Sequence, residues 1–374
     1  MREYSICSAG DGGCTTPGHY GHRWNADRVE GLRRLFEVVA SGVVAASLLA
    51  CGGGGEEASP SPSPTPAPSP SPSPMPISAQ LSVPDPVGYD ADQLAAFNRL
   101  NELRFAAGLG MLAQDRRLDQ AAQAHANWLV VNRQFTHVEV PGTTGFTGVN
   151  WWDRDHAAGY LVSGGGEVIA FGDQPIVGID LLMNAIYHRG ALLEFDPVDV
   201  GIGWVASNDF GIRNPLVVEF SSPLDDPTKS AGQLAQPITD GLVVWPLDGA
   251  ESVATHMGNE EPDPVRGIDV GELGTPASVS ADRSSRIVVG AFTMSESISG
   301  ATVPTTVLTE DSDPNGLTAQ SFVGLIPTVG LKINTRYRVE FHGSIIRTGE
   351  KEALPCARSW TFTTGTSAYP SAAK

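Results

Sequence analysis

Cysteine is scarce in this sequence: four residues in 374, at positions 7, 14, 51 and 356. No two are spaced as Cys-x-x-Cys, and Cys356 is alone in the C-terminal half. The chain therefore specifies neither a disulfide framework nor a thiolate zinc site. Basic residues are also few. With 24 Lys and Arg against 42 Asp and Glu, the formal charge is −18. A surface of that sign disfavours nucleic acid as a partner and lacks the polybasic stretch that grips anionic lipid. The bland meaning of the acidity is solubility. His-Glu-x-x-His is missing, which excludes a helical zincin, and without Gly-x-Ser-x-Gly there is no nucleophile elbow. The longest apolar run falls short of the ~20 residues a membrane-spanning helix needs.

That run is VVASGVVAASLLA, residues 38–50, preceded by Arg33 and Arg34. A basic flank and a short apolar stretch are the pattern of an export signal. The stretch ends in Leu48-Leu49-Ala50-Cys51, which resembles the lipobox of bacterial lipoproteins. The resemblance implies removal of residues 1–50, acylation of Cys51, and export to a bacterial membrane held by lipid, the outer membrane in a diderm cell. Residues 1–32 are long and patternless for a signal preamble, so the translation start is expected downstream, near Val29. After Cys51 come glycines and then SPSPSPTPAPSPSPSPMP. Alternating proline favours an extended polyproline helix of about 3.1 Å per residue and cannot form a core. Residues 51–88 therefore read as anchor and tether.

From Tyr89 the character changes. Asp90 or Asp92 can cap a helix that carries Leu94, Phe97 and Leu100 at helical spacing and ends at Gly108 and Gly110. A second amphipathic helix places Leu118, Ala121, Ala122, His125 and Leu129 on one face. Residues 141–166, with Trp151 and Trp152, read as a glycine-rich loop region. EVIAF then predicts a strand, IVGIDLLMNAIYH a third helix, and VDVGIGWVA and PLVVEFSS two buried strands. The order predicts an α/β/α sandwich over residues 89–222. Residues 223–239 read as a linker. Residues 240–366 are strand-only, with YRVEF alternating cleanly, and predict an all-β sandwich followed by a short tail, 367–374.

The first domain resembles the CAP superfamily, the SCP-like or cysteine-rich secretory, antigen 5 and pathogenesis-related proteins, in its bacterial branch. The pieces stand in family order: the opening helices, "FTH" with His137, "GEVIAFG" with Glu167, "YHRGALL" with His188, and "VDVGIGW". The resemblance implies that His137, Glu167 and His188 meet in one cleft. It departs at Val168, where asparagine is usual, and at Leu182, where tryptophan is common. A second cavity acid has no clear counterpart beyond Asp180. The C-terminal strands, ending in SWTFTTG, resemble bacterial Ig-like domains.

Two imidazoles and a carboxylate can hold zinc with an open water position, His137 and His188 as ligands and Glu167 as base. The rival is a hydrogen-bonded polar cluster that pins loops, and the balance favours it. His125, on an apolar helix face, reads as a satisfied core histidine. His156 is a loop residue within possible reach of the cleft, and Ser163 a loop residue without a catalytic setting. Asp311-Ser312-Asp313-Pro314-Asn315-Gly316 opens like a calcium loop, but its twelfth position is Phe322 where a bidentate Glu is needed, so a turn is expected. Three functions follow: a lipid-anchored envelope protein binding a small apolar, lipid or envelope-derived ligand in the cleft, with lipid or cell wall as the partner; a zinc-dependent hydrolase of peptide or envelope substrates; and a structural or adhesive surface protein.

Overall fold

A computed structural model describes residues 4–5, 80–207, 213–224 and 242–370. The expected start near Val29, the export signal, Cys51, residues 52–79 of the Pro/Ser tether and almost all of the linker lie outside the described residues. Residues 80–88, read as the end of the tether, are described and are bonded to the first domain: Gln80 Nε2 donates to the Met111 carbonyl at 2.8 Å and the Val87 N–H to Gln114 Oε1 at 2.7 Å. Among the described residues no helix is long and apolar enough to cross a membrane.

The first domain is built on a five-stranded mixed sheet in the order β1-β3-β5-β4-β2. Its strands are β1 (Tyr4–Ser5), β2 (Ala113–Gln114), β3 (Val162–Phe171), β4 (Asp199–Trp204) and β5 (Pro215–Pro223). The helices are α1 (Ala91–Ala106), α2 (Arg116–Asn132), α3 (Trp151–Ala157), α4 (Pro175–Asn184) and α5 (Ile186–Leu192). Asp90 caps α1 in a reciprocal box with Gln93. Asp115 caps α2.

Strand alternation sorts the layers. Val168, Ala170, Val200, Ile202, Leu216, Val218 and Phe220 pack on α1, α4 and α5. Ile169, Phe171 and Val217 pack on Ala122, Ala126 and Leu129 of α2. On β4 the residues facing α2 are Gly201 and Gly203. A Cβ there would stand 2.1 Å from the Leu118 carbonyl carbon and 2.2 Å from that of Ala122. The two glycines thus let α2 lie directly on the strand. Buried Arg104 ties the end of α1 to the end of α5, donating to the carbonyls of Gly110, Leu192 and Glu194.

Three elements differ from the sequence expectation. The segment 141–166 contains helix α3, begun at Asn150, whose Nδ2 and backbone N–H both donate to Asp153. Trp151 is buried on it. The predicted third helix is two helices, broken at Ala185, which is extended (φ −92°, ψ 138°). Strand β3 also begins earlier than EVIAF, at Val162.

The second domain has two four-stranded sheets, β10-β11-β8-β6 and β7-β13-β12-β9. The first joins β6 (Val243–Trp245), β8 (Ala277–Ser280), β10 (Thr305–Leu308) and β11 (Phe322–Pro327). The second joins β7 (Ala250–Val253), β9 (Arg286–Glu296), β12 (Arg336–Ile346) and β13 (Leu354–Thr364). Val279, Val323 and Leu325 of one meet Phe292, Val339, Phe341, Trp360 and Phe362 of the other in a shared core. In YRVEF Tyr337, Val339 and Phe341 are buried, Arg338 is exposed and Glu340 is half-buried. The first domain's core on α1, α4 and α5 runs on into the second domain, joining Ile186, Leu192 and Phe195 to Met257, Leu273, Phe322 and Ile326.

Candidate functional site

Five elements bring charged side chains together between the sheet and α2. Glu167 of β3 and Glu219 of β5 are directly opposed in register and point to the same face. Arg154 of α3 reaches in, its Nη2 2.5 Å from Glu167 Oε2, 3.8 Å from Glu219 and its Nε 4.0 Å from Glu139. Its Nη1 donates to the His137 carbonyl at 3.1 Å. His137 Nδ1 lies 2.7 Å from Glu167 Oε1. His125 of α2 places Nδ1 3.0 Å from Glu139 and Nε2 3.0 Å from the Thr136 carbonyl. The Trp128 ring stacks on it at 5.8 Å. Glu139 also accepts from the Thr147 backbone N–H at 2.6 Å. His137 is 5% exposed and the other members are less so.

Burial and charge split the carboxyls into two sets. Burial pushes Glu167 upward, but Arg154, His125 and His137 outweigh it and hold Glu167 well below the usual carboxylate range. Glu139 is likewise lowered, burial being overcome by His125, the Thr147 N–H and Arg154. Glu219 is raised well above its ordinary value, by burial first and then by Glu167 and Asp155. Asp155, next to Arg154 on α3, is raised by burial and by Glu167 despite Arg154. The fold thus favours the charged form of Glu139 and Glu167 and disfavours that of Glu219 and Asp155, all around one guanidinium. Single-acid substitutions therefore act very differently across the cluster.

The expected trio is placed as follows. His137 and Glu167 are bonded to each other. His188, on α5, is bonded instead to Glu260 of the second domain, Nδ1 to Oε1 at 2.8 Å. Asp180 pairs with Arg99 at 2.8 Å on the domain surface. Val168 and Leu182 are core residues. His125 is buried and bonded as a core histidine, yet belongs to the charged cluster. His156 is exposed, and Ser163 donates to the Ser222 carbonyl at 2.9 Å. Among the described residues no group of three or more His, Cys, Asp or Glu is arranged to hold a metal ion. His137 Nε2 is buried without a hydrogen-bond partner among the described residues. Sequence reasoning missed Glu139, Arg154, Asp155, Glu219 and Glu260. A lone acid within the apolar strand PLVVEFSS was the available signal for Glu219.

A separate concavity of about 490 Å³ opens where the chain enters the first domain. Tyr89, Gln93, Arg116, Arg117, Gln120 and Gln123 line it. Its floor is braced: Tyr89 Oη donates to Asp119 at 2.5 Å, and Asp119 also accepts from the Ile202 N–H at 3.0 Å. Arg117 is clamped to Asp115, whereas Arg116 is exposed. A crevice between α5 and the second domain, walled partly by Phe195 and Phe322, has room for only about 30 Å³, roughly one water.

Residues 97–216 match the family model described as CAP, the cysteine-rich secretory protein family, and form a CAP domain. Solved structures with similarity include an outer surface protein of Borrelia burgdorferi, 25% identical with a TM-score of 0.31, covering 35% of this chain and 92% of that one. Another is an extracellular protein containing an SCP domain from Bacillus anthracis str. Ames, 21% identical with a TM-score of 0.30, covering 35% of this chain and 40% of that one. No curated protein matches.

Proposed function

We propose that this chain is an exported, lipid-anchored CAP-domain protein of a bacterial envelope. Its CAP domain binds a polar, carboxylate-bearing fragment of the cell wall in the groove lined by Tyr89, Arg116 and Gln120. The observation that carries this reading is the contrast between the two polar sites. The His137–Glu167–Arg154 cluster is buried and its charges are mutually bonded, as suits a structural keystone. The groove is open and of ligand size, since pockets for small molecules commonly span about 300–1,000 Å³. Gln93 and Gln123 are engaged by the backbone of β4 and Arg117 by Asp115, and exposed Arg116 and Gln120 offer donors to hydroxyls and carboxylates. That chemistry favours the cell-wall alternative over a lipid, for which the junction crevice is too small. The lipobox at Cys51 and the Pro/Ser tether support the location, and the second domain, with its Ig-like strand pattern, is part of the exposed body.

Co-sedimentation of the purified full chain with insoluble cell-wall sacculi tests the reading. Wild type should pellet, and Arg116→Ala should remain in solution with unchanged unfolding temperature. Equal pelleting of both proteins, or none by wild type, contradicts it.

A further inference from the structure

The segment that carries His188 hands its polar side chains, one after another, to the second domain. Asn184 Nδ2 donates to the His256 carbonyl at 2.7 Å. Tyr187 Oη donates to Asp313 Oδ1 at 2.5 Å and accepts from Asn315 at 3.1 Å. Arg189 Nη1 donates to the Pro276 carbonyl at 2.8 Å. His188 is taken by Glu260. The Glu260 carboxylate, 3% exposed, also accepts the backbone N–H groups of Ile186, Tyr187 and His188 at 2.8, 2.7 and 3.0 Å. The break at Ala185 directs those three N–H groups at Glu260. The apparent calcium loop has its use here as well, since Asp313 also binds its own turn through the Leu317 and Thr318 N–H groups.

We propose that the second domain is the resident occupant of the His188 face and that Glu260 is its key. Glu260 is a positioning residue. It fixes the imidazole with the proton on Nδ1, and it satisfies at once the donors that the broken helix exposes. A carboxylate is the one side chain that can take four donors on two oxygens, here three on Oε1 and one on Oε2. The acid that holds His188 Nδ1 comes from the neighbouring domain. An external molecule reaches His188 only when the two domains part.

Histidine modification by diethylpyrocarbonate, mapped by mass spectrometry on the full chain, tests this with internal controls. His156 is exposed and should react in every variant. His125 is buried within the CAP domain and reports on its integrity. In wild type His188 should be as protected as His125. In Glu260→Ala it should react at a rate approaching that of His156 while His125 stays protected. Glu260→Gln, which keeps one acceptor oxygen, should fall between, and it decides the matter if the alanine variant unfolds. His188 as protected as His125 in both variants overturns the proposal. So does joint exposure of His188 and His125 in both, because the face would then open only by global unfolding.

Discussion

Replacing Arg154 by methionine removes the one guanidinium from a buried cluster and keeps most of the side chain's volume. Arg154 stands 2.5 Å from Glu167 and 4.0 Å from Glu139, the two acids held ionised, and it also bonds the His137 carbonyl. Breaking a buried ion pair by deleting one partner costs about 3–5 kcal/mol, because the remaining charge is left without compensation. One kcal/mol shifts the midpoint of a domain of this size by about 2–4 °C, so the loss should be on the order of 10 °C. Thermal unfolding of the full chain followed by circular dichroism measures it. Adding Glu167→Gln to the variant removes the orphaned charge and should restore part of the loss, giving a coupling energy of at least about 1 kcal/mol in the double-mutant cycle. A midpoint lowered by less than 2 °C, or additive single changes, would refute the keystone role.

The pH dependence has two limbs of opposite sign. Asp155 and Glu219, raised in the fold, contribute stability that is full below the ordinary carboxylate value of about 4 and is lost as pH rises through their folded values. Glu139 and Glu167, lowered in the fold, contribute stability present above that value and lost as pH falls through theirs. Glu219→Gln should therefore gain on wild type in urea unfolding as pH rises above the ordinary carboxylate value of about 4; a stability difference that does not change with pH there would contradict the assignment. Gly203→Ala would drive a Cβ into the Ala122 backbone at 2.2 Å, which no rotamer change relieves. A loss of about 3 kcal/mol or more is expected, and a neutral result would show that α2 can shift. Cys51→Ser should move the protein from the membrane fraction to the soluble one and abolish labelling by a fatty-acid analogue, whereas an unchanged membrane fraction would remove the anchor from the account.

Local rules made much of the fold legible. The acids Asp90 and Asp92 marked the start of α1, and the alternation in YRVEF marked β12. The break in IVGIDLLMNAIYH was not legible, because Ala185 is an ordinary helix former. Its extended backbone is set by a carboxylate more than seventy residues away, through the Glu260 bonds to Ile186 and Tyr187. The same distance hid the partner of His188. His137 and Glu167 could be paired from their family positions, but Arg154 lay in a stretch without apolar period. Glu139 follows His137 by two residues and was passed over because its burial depends on how the loop to Thr147 folds back. Pairing within an element follows from spacing; pairing across the sheet depends on register, and none of these sequences encodes its register alone.

The central claim is that the groove beside Tyr89, and not the buried histidine cluster, takes the ligand. Isothermal titration of the full chain with a soluble, carboxylate-bearing cell-wall fragment, comparing wild type with Arg116→Ala and His137→Asn, tests it most directly. The account predicts binding by wild type, loss in Arg116→Ala, and retained affinity in folded His137→Asn. Retained affinity in Arg116→Ala with loss in His137→Asn would place the ligand in the buried cluster and contradict it.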